Sequence, residues 1–235
     1  MDLRPYQNEA EGAVHRGLEE YSRILYVMAT GTGKTVTFAS IIQTIRERDP
    51  FATFLILAHR SDIITQAYKT VMSLCGLNMW EIGIEQADRR ASTSAWVVCG
   101  SIDTVVKPNR LDGLPITHII YDEAHRSACN TAKRIFAKFP NAKVIGCTAT
   151  PKRSDKKSLY YRDTDNSVVW LREKSGKTRE AEADDCVFEK LVYSYPYGQA
   201  ISEGFLVDFK IHNVDTGLSL DGLKESMSAE AGKRT

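Results

Sequence analysis

The chain has 235 residues, 43% of them hydrophobic, with 31 lysines and arginines against 30 aspartates and glutamates. This length supports a sizeable core without disulfides, and the near-neutral charge gives no overall basic field that would indicate nucleic-acid binding. The five cysteines include no C-x-x-C pair, and the sequence has neither an apolar leader nor an apolar run of membrane-spanning length. We therefore expect an intracellular, cytoplasmic protein with free thiols, no structural metal and no membrane partner.

The first 150 or so residues alternate between apolar strands and amphipathic helices. Ala10, Val14 and Leu18 lie on one face of a helix predicted over residues 5–21. Further helices are predicted at 34–48, 62–74 and 131–139, and strands at 23–29, 53–58, 95–100, 118–122 and 143–148. Apolar strands between helices predict an α/β fold, with a parallel sheet covered by helices on both faces.

The pattern changes after Pro151, and we predict that residues 1–151 form the main domain. Residues 152–186 are charged and poorly periodic, which indicates an insertion that contains a hairpin. Regular pattern returns in 187–214, predicted to pack on the main domain with a short helix near Tyr197–Glu203 and a strand after it. Residues 215–235 are predicted to be a linker or tail.

The stretch MATGTGKTVTF at 28–38 lies between a predicted strand and a predicted helix, as a phosphate-binding loop does. Gly31 and Gly33 allow backbone N–H groups to point at phosphate oxygens, and the helix N-terminus adds the positive end of its dipole. Lys34 would reach the β- and γ-phosphates, and Thr35 would ligate Mg²⁺. Met28 replaces the first glycine of the usual pattern, so a simple glycine turn is the alternative for this stretch alone.

The stretch HIIYDEAHR at 118–126 supplies a second candidate feature. Its predicted strand ends in two acids, at the edge where parallel α/β sheets bind ligands. Asp122 would hold Mg²⁺, and Glu123 would orient and deprotonate the attacking water. A strand that ends in a solvated acidic turn is the alternative, which the phosphate-binding loop upstream disfavours.

Three stretches in this order, MATGTGKT, DEAH and TATPKR, resemble motifs I, II and III of superfamily 2 helicases and translocases. Residues 55–67 resemble motif Ia, 97–105 motif Ib, and 3–10 the segment that reads the adenine. Residues 195–209, YPYGQAISEGFLVDF, are similar to a stretch in the branch of restriction-enzyme motor subunits and excision-repair helicases. The resemblance implies a RecA-like P-loop NTPase domain that uses ATP and Mg²⁺.

The same resemblance implies roles for individual residues. Gln7 would read the adenine edge, with Arg4 or Tyr6 helping to hold the base. The implied nucleotide contacts are Arg4, Gln7, Thr30, Gly31, Thr32, Gly33, Lys34 and Thr35. Thr148 and Thr150, with His125 beside them, would couple the γ-phosphate site to the nucleic acid. Implied contacts to a nucleic-acid backbone are Arg60, Gln66, Ser101 and Thr104.

The implied function is that of an ATP-dependent DNA helicase or translocase, with DNA and a second RecA-like domain, in cis or in trans, as partners. An RNA helicase and a nucleotide-gated binding module without turnover are the alternatives. No motif VI-like sequence occurs, so we expect slow ATP turnover without the arginine fingers of a second domain. The sequence leaves open whether Lys156, Lys157, Lys174 and Lys177 of the insertion bind DNA or are merely solvated.

Overall fold

The computed structural model describes residues 2–151, 158–172, 177–182 and 186–208. Its α-helices are α1 (Pro5–Glu20), α2 (Lys34–Arg48), α3 (Ser61–Leu74), α4 (Ile102–Val105), α5 (Asn130–Lys138) and α6 (Tyr197–Ser202). Its strands are β1 (Arg23–Met28), β2 (Phe54–Ala58), β3 (Ile82–Glu85), β4 (Val97–Ser101), β5 (His118–Asp122), β6 (Lys143–Thr148), β7 (Tyr160–Arg162), β8 (Trp170–Arg172), β9 (Thr178–Glu180) and β10 (Phe188–Tyr195). A short 3₁₀ helix covers Ala124–Arg126.

Eight strands form one sheet in the order β3-β4-β2-β5-β6-β1-β10-β7, and neighbouring strands pair in parallel throughout. Strand β1 lies between β6 and β10, with Val27 opposite Thr148 and Met28 opposite Tyr195. Because the strands are parallel, their carboxyl ends meet at one edge of the sheet. The loops that follow β1, β5 and β6 are therefore neighbours.

Alternate residues of each strand enter two separate cores, as the pleat of a strand requires. Ile24, Tyr26 and Met28 of β1 pack with α1, α2 and α3 on one face. Leu25 and Val27 of the same strand pack with α4 and α5 on the other face. The predicted parallel sheet with helices on both faces is confirmed.

Three strands of the main sheet were not predicted as such. β3 contains Gly83 and a buried Glu85, and β10 carries Glu189 and Lys190, so neither has an unbroken apolar pattern. β7 lies within the segment predicted to be an insertion, yet it pairs in parallel with the outer side of β10. The local sequence of these three segments does not predict a strand, and they become evident only from their pairing with neighbouring strands in the structure.

The rest of the predicted insertion is described in part. β8 and β9 form a two-stranded antiparallel hairpin, with Leu171 opposite Arg179. Lys156, Lys157 and Lys174 lie outside the described residues, as do most of the strand predicted after α6 and the whole tail. Among the helices of the described residues, none has the length and apolar character needed to cross a membrane.

Candidate functional site

The loop between β1 and α2 has the backbone shape of an anion cradle. Gly31 and Gly33 have φ angles of +88° and +84°, in the left-handed region that glycine adopts without strain. Thr32 between them is buried, and its hydroxyl donates to the Ala29 carbonyl at 2.6 Å. Thr30 is exposed at the rim of the loop. Since α2 begins directly after Gly33, its N-terminal N–H groups and dipole face the same place.

Helix α1 holds this loop from one side. Tyr6 Oη and Gln7 Nε2 each donate to the Thr32 carbonyl at 3.0 Å, and Gln7 Oε1 accepts from the Arg4 N–H at 3.0 Å. A Cβ on Gly33 would lie 2.6 Å from Gln7 Nε2, so the contact itself requires glycine there. Gln7 is only 5% exposed. Its predicted contact with adenine would use the second N–H or the second Oε1 lone pair.

Asp122 lies at the carboxyl end of β5 and interacts with Lys34 of the loop. Its Oδ1 accepts from the Glu123 N–H at 2.9 Å and from the Cys147 thiol at 3.3 Å. Burial raises the pKa of Asp122, the neighbouring Glu123 carboxylate adds to the rise, and Cys147 and the Lys34 ammonium oppose it. Lys34 Nζ also donates to the Met28 carbonyl at 3.4 Å, at the start of the loop. The two candidate motifs therefore converge on one site.

Glu123 adopts a left-handed backbone conformation, with φ of +54° and ψ of +50°, that is costly for a residue with a side chain. His125 Nδ1 lies 3.2 Å from Glu123 Oε2 and 3.2 Å from Thr148 Oγ1. Thr148 Oγ1 in turn lies 3.1 Å from the Thr150 carbonyl and 3.2 Å from the Thr150 nitrogen. A continuous line of polar contacts thus joins the end of β5 to the segment that follows β6.

The arrangement fits a triphosphate with a magnesium ion. Within the described residues, Asp122 Oδ2 and the Thr35 hydroxyl have no hydrogen-bond partner, whereas Oδ1 has two. Carboxylate and hydroxyl oxygens are ligands that Mg²⁺ accepts alongside water and phosphate oxygens. A divalent cation beside Asp122 would also stabilise the ionised carboxylate against the effect of burial.

The predicted nucleic-acid contacts differ in their accessibility. Arg60 and Gln66 are exposed, and Arg60 forms an exposed ion pair with Asp62, with Nη2 and Oδ2 at 2.8 Å. Ser101 and Thr104 are buried, and the Thr104 hydroxyl accepts from the Ala87 N–H at 3.0 Å. One cavity is lined by residues of both this region and the acidic turn, namely His59, Arg60, Asp122 and Glu123 among others. The structure thus leaves Arg60 and Gln66 exposed to solvent and buries Ser101 and Thr104.

Two groups of residues near the loop were missed by the sequence analysis. Cys147 is paired in register with Asp122 on the neighbouring strand, and its position directly before the TATP stretch was the available signal. Tyr195 and Phe205 pack on Tyr6, with ring centroids 4.3 and 4.8 Å away. Both lie in the stretch 195–209, which the sequence analysis predicted to pack on the main domain and used to place the chain in a branch of the superfamily, without a role at the loop.

A parallel sheet with a glycine loop after one strand and paired acids after another defines a RecA-like P-loop NTPase domain, the ATP-binding domain of superfamily 2 helicases. The sequence model of one family, "Type III restriction enzyme, res subunit" (ResIII), matches residues 1–153. The chain belongs to this family.

Individual relatives agree with this assignment. The chain is 29% identical over 212 residues to IRC3 of Saccharomyces cerevisiae, a protein named as an ATP-dependent helicase, covering 77% of this chain and 30% of that protein. It is 27% identical over 225 residues to the type I restriction enzyme EcoAI endonuclease subunit of Escherichia coli, covering 89% of this chain and 24% of the relative. The chain thus spans less than a third of the length of either relative.

Solved structures give the same fold. The chain superposes with a TM-score of 0.62 on a nuclease-deletion mutant of the type ISP restriction-modification enzyme LlaGI, solved with a DNA substrate mimic. The sequences are 18% identical, and the match covers 100% of this chain and 23% of that one. At this identity the likeness shows the fold alone.

Proposed function

We propose that this chain is the ATP-binding motor domain of a DNA helicase or translocase, in which ATP hydrolysis drives movement along DNA. The observation that carries the proposal is that the loop after β1 and the acids after β5 meet at one edge of the sheet. Cys147 of β6 is paired with Tyr26 of β1 on one side and with Asp122 of β5 on the other, and the Lys34 ammonium acts to lower the pKa of Asp122. A glycine turn without a ligand would need neither a lysine at the start of α2 nor a buried acid at the same edge of the sheet. A nucleotide phosphate bound at this site would pair with the Lys34 ammonium, and the magnesium ion that accompanies it would pair with the Asp122 carboxylate.

Each residue of the site then has a task. The N–H groups around Gly31 and Gly33 and the Lys34 ammonium would hold the phosphates. Thr35 and Asp122 would hold the magnesium ion, which when bound neutralises phosphate charge and helps stabilise the transition state. Glu123 would orient the attacking water and accept its proton.

The polar contacts from Glu123 through His125 to Thr148 support the predicted coupling role. His125 Nδ1 contacts both the proposed base and a hydroxyl at the end of the next strand. A change at the γ-phosphate that moves Glu123 would therefore alter the hydrogen bonds of Thr148 and Thr150. We propose that this line links phosphate release to the part of the domain that holds the nucleic acid.

DNA is the nucleic acid that the comparisons favour. The E. coli relative is an endonuclease subunit of a type I restriction enzyme, and the LlaGI structure contains a DNA substrate mimic. Arg60 and Gln66 are the accessible candidates for backbone contacts on this chain. We further propose that a second RecA-like domain, in cis or in trans, completes the site and supplies arginine fingers, which are worth about 10³- to 10⁵-fold in rate.

The test is Glu123→Gln, with Glu47→Gln on the exposed surface of α2 as the matched control. The variant should retain nucleotide binding and lose hydrolysis by about 10²- to 10⁴-fold in a single-turnover assay, because it lacks the base but keeps the cradle. Assays with single- and double-stranded DNA and with RNA would separate a DNA motor from an RNA motor. Wild-type turnover in Glu123→Gln, or no nucleotide binding by the native chain, would overturn the proposal.

A further inference from the structure

The stretch Tyr195–Leu206 contacts the nucleotide-binding loop directly at two places and indirectly, through Tyr6 of α1, at a third, although it lies far from the loop in the sequence. Tyr195 ends β10, where it is paired with Met28, and its carbonyl accepts from the Ala29 N–H at 3.0 Å, at the first residue of the loop. At the other end of the stretch, the Leu206 side chain lies 3.1 Å from the position that a Cβ on Gly31 would occupy. The loop is thus bounded at its start and over its middle by one segment.

The third contact passes through Tyr6. The Tyr195 ring stacks on the Tyr6 ring with an interplanar angle of 8°, and the Phe205 ring meets Tyr6 edge-on at 73°. The Arg4 guanidinium lies 5.5 Å from the Phe205 ring centroid and donates to Tyr6 Oη at 3.1 Å. Tyr6 is therefore fixed on two sides of its ring, and it is only 2% exposed.

The fixed ring has a consequence for the loop backbone. Tyr6 Oη donates to the Thr32 carbonyl, which Gln7 Nε2 also binds, so this carbonyl is held toward α1. In a trans peptide the carbonyl and the following N–H point in opposite directions. Holding the Thr32 carbonyl toward α1 therefore directs the Gly33 N–H away from α1, as a phosphate-binding N–H must be directed before the ligand arrives.

We propose that the segment Tyr195–Leu206 is a positioning element of the nucleotide site, which presets the loop for phosphate through the Tyr6 ring and the Thr32 carbonyl. The inference rests on the proposed nucleotide-binding function. It assigns a role to the segment Tyr195–Leu206, which has none in the proposed hydrolysis mechanism.

The decisive variants are Tyr195→Leu, which removes the stacked ring, and Tyr195→Phe, which keeps the ring but removes the hydroxyl that donates to Glu203 Oε2 at 2.7 Å. Tyr195→Leu should weaken binding of a fluorescent ATP analogue about 3- to 10-fold, the value of one aromatic pair, and Tyr195→Phe should restore it. Tyr193→Leu is the matched control, because this tyrosine lies on the same strand and contacts Glu9 instead of the stack. It should leave the dissociation constant unchanged.

A double-mutant cycle separates positioning from general core packing. Tyr6→Phe keeps the stack and removes the hydrogen bond to Thr32, so the effects of Tyr6→Phe and Tyr195→Leu on the dissociation constant should be strongly non-additive. Additive effects, or a folded Tyr195→Leu protein with native affinity, would overturn the inference while leaving the proposed function intact. Absence of nucleotide binding by the native chain would overturn both.

A measurement without ligand covers the case in which Tyr195→Leu fails to fold. Phe205→Leu lies on the partly exposed side of the stack and keeps an apolar side chain. Hydrogen exchange of the amides at residues 29–33 should be faster in Phe205→Leu than in the native chain, with exchange in α3 unchanged. Equal exchange at the loop in the two proteins would contradict the positioning role.

Discussion

The side chains of Arg110 and Glu85 form an ion pair that fastens the outer end of the sheet. Their Nη1 and Oε1 atoms are 2.6 Å apart, and the two side chains are 13% and 3% exposed. Arg110 Nη2 also donates to the Ala87 carbonyl at 2.6 Å, and Glu85 Oε2 accepts from the Ala91 N–H at 2.9 Å. Every carboxylate oxygen of this edge-strand glutamate is thus paired with a residue outside its own strand.

Arg110→Ala would leave the Glu85 carboxylate buried without its cation, so we expect a loss of about 3 kcal/mol in the free energy of unfolding. Chemical denaturation at neutral pH measures this loss. Arg60→Ala breaks an ion pair that is 71% and 61% exposed and should cause no measurable change. Similar stabilities for the two variants would show that the Glu85 pair does not fasten the edge.

Sequence reasoning at the residue scale was strongest where one chemical requirement selects one residue type. The left-handed conformation of Gly31 and Gly33 agrees with the predicted loop. The following lysine and the acids at the end of β5 could be proposed as site residues because a phosphate and magnesium site would restrict the residue type at each position. Cys147 was missed because only its position directly before the TATP stretch pointed to it, and a thiol that donates to Asp122 otherwise has the sequence signature of an ordinary buried cysteine.

Among the elements, α1 packs on β10 through a glycine. A Cβ on Gly17 would lie 2.5 Å from Val192 Cγ1, whereas a Cβ on Gly12 of the same helix would meet only the mobile end of Arg16 at 3.3 Å. We expect Gly17→Ala to lower the free energy of unfolding by about 1–2 kcal/mol through overpacking. Gly12→Ala should leave it unchanged or raise it by up to about 1 kcal/mol, since alanine favours the helix. Thermal and chemical unfolding of both variants would test this, and equal effects would contradict the close α1–β10 contact.

The first residue of β5 makes stability depend on pH. Burial lowers the pKa of His118 from 6.5 to about 4, the Lys143 ammonium adds to the fall, and the Asp49 carboxylate opposes it. Between these two values the unfolded chain binds more protons than the folded one, so stability falls as the pH is lowered from 6.5 toward 4. The free energy of unfolding should fall between pH 7 and pH 5 in both proteins. We expect the fall to be about 1–2 kcal/mol smaller in His118→Gln than in the native chain.

Unfolding curves of both proteins at the two pH values provide this comparison. His15 and His59, whose pKa values are also lowered by burial, contribute equally to both proteins and cancel in the difference. Identical pH dependence of the two proteins would contradict the lowered pKa of His118 in the folded chain.

The elements that sequence reasoning found and missed differ in how they are specified. β1, β2, β5 and β6 are buried on both faces, and their apolar runs are visible locally. β10 is obscured by charges whose partners are remote in sequence: Glu189 Oε2 accepts from the N–H groups of Ser22 and Arg23, and Lys190 Nζ donates to Asn166 Oδ1. When a charged residue has its hydrogen-bond partners far away in the sequence, the sequence alone predicts an exposed residue and not part of a strand.

For the whole molecule, the residues that match the family model are fewer than the residues that form the folded domain. The match ends at residue 153, but β10 covers one side of β1 from Ile24 to Met28. A fragment of residues 1–153 would expose a central apolar strand as an edge, which favours aggregation. We expect this fragment to aggregate and a fragment of residues 1–208 to stay soluble, as measured by size-exclusion chromatography and circular dichroism. A monomeric, folded 1–153 fragment would contradict the prediction.

The position of β1 between β6 and β10 also bears on how the domain is made in the cell. Met28 leaves the ribosome long before its partner Tyr195, and at roughly 5–20 residues per second the delay is on the order of ten seconds. Throughout that interval the glycine loop exists without its final neighbours. Nucleotide affinity should therefore arise only after the segment Tyr195–Leu206 has been synthesised, when its aromatic side chains reach the nascent core.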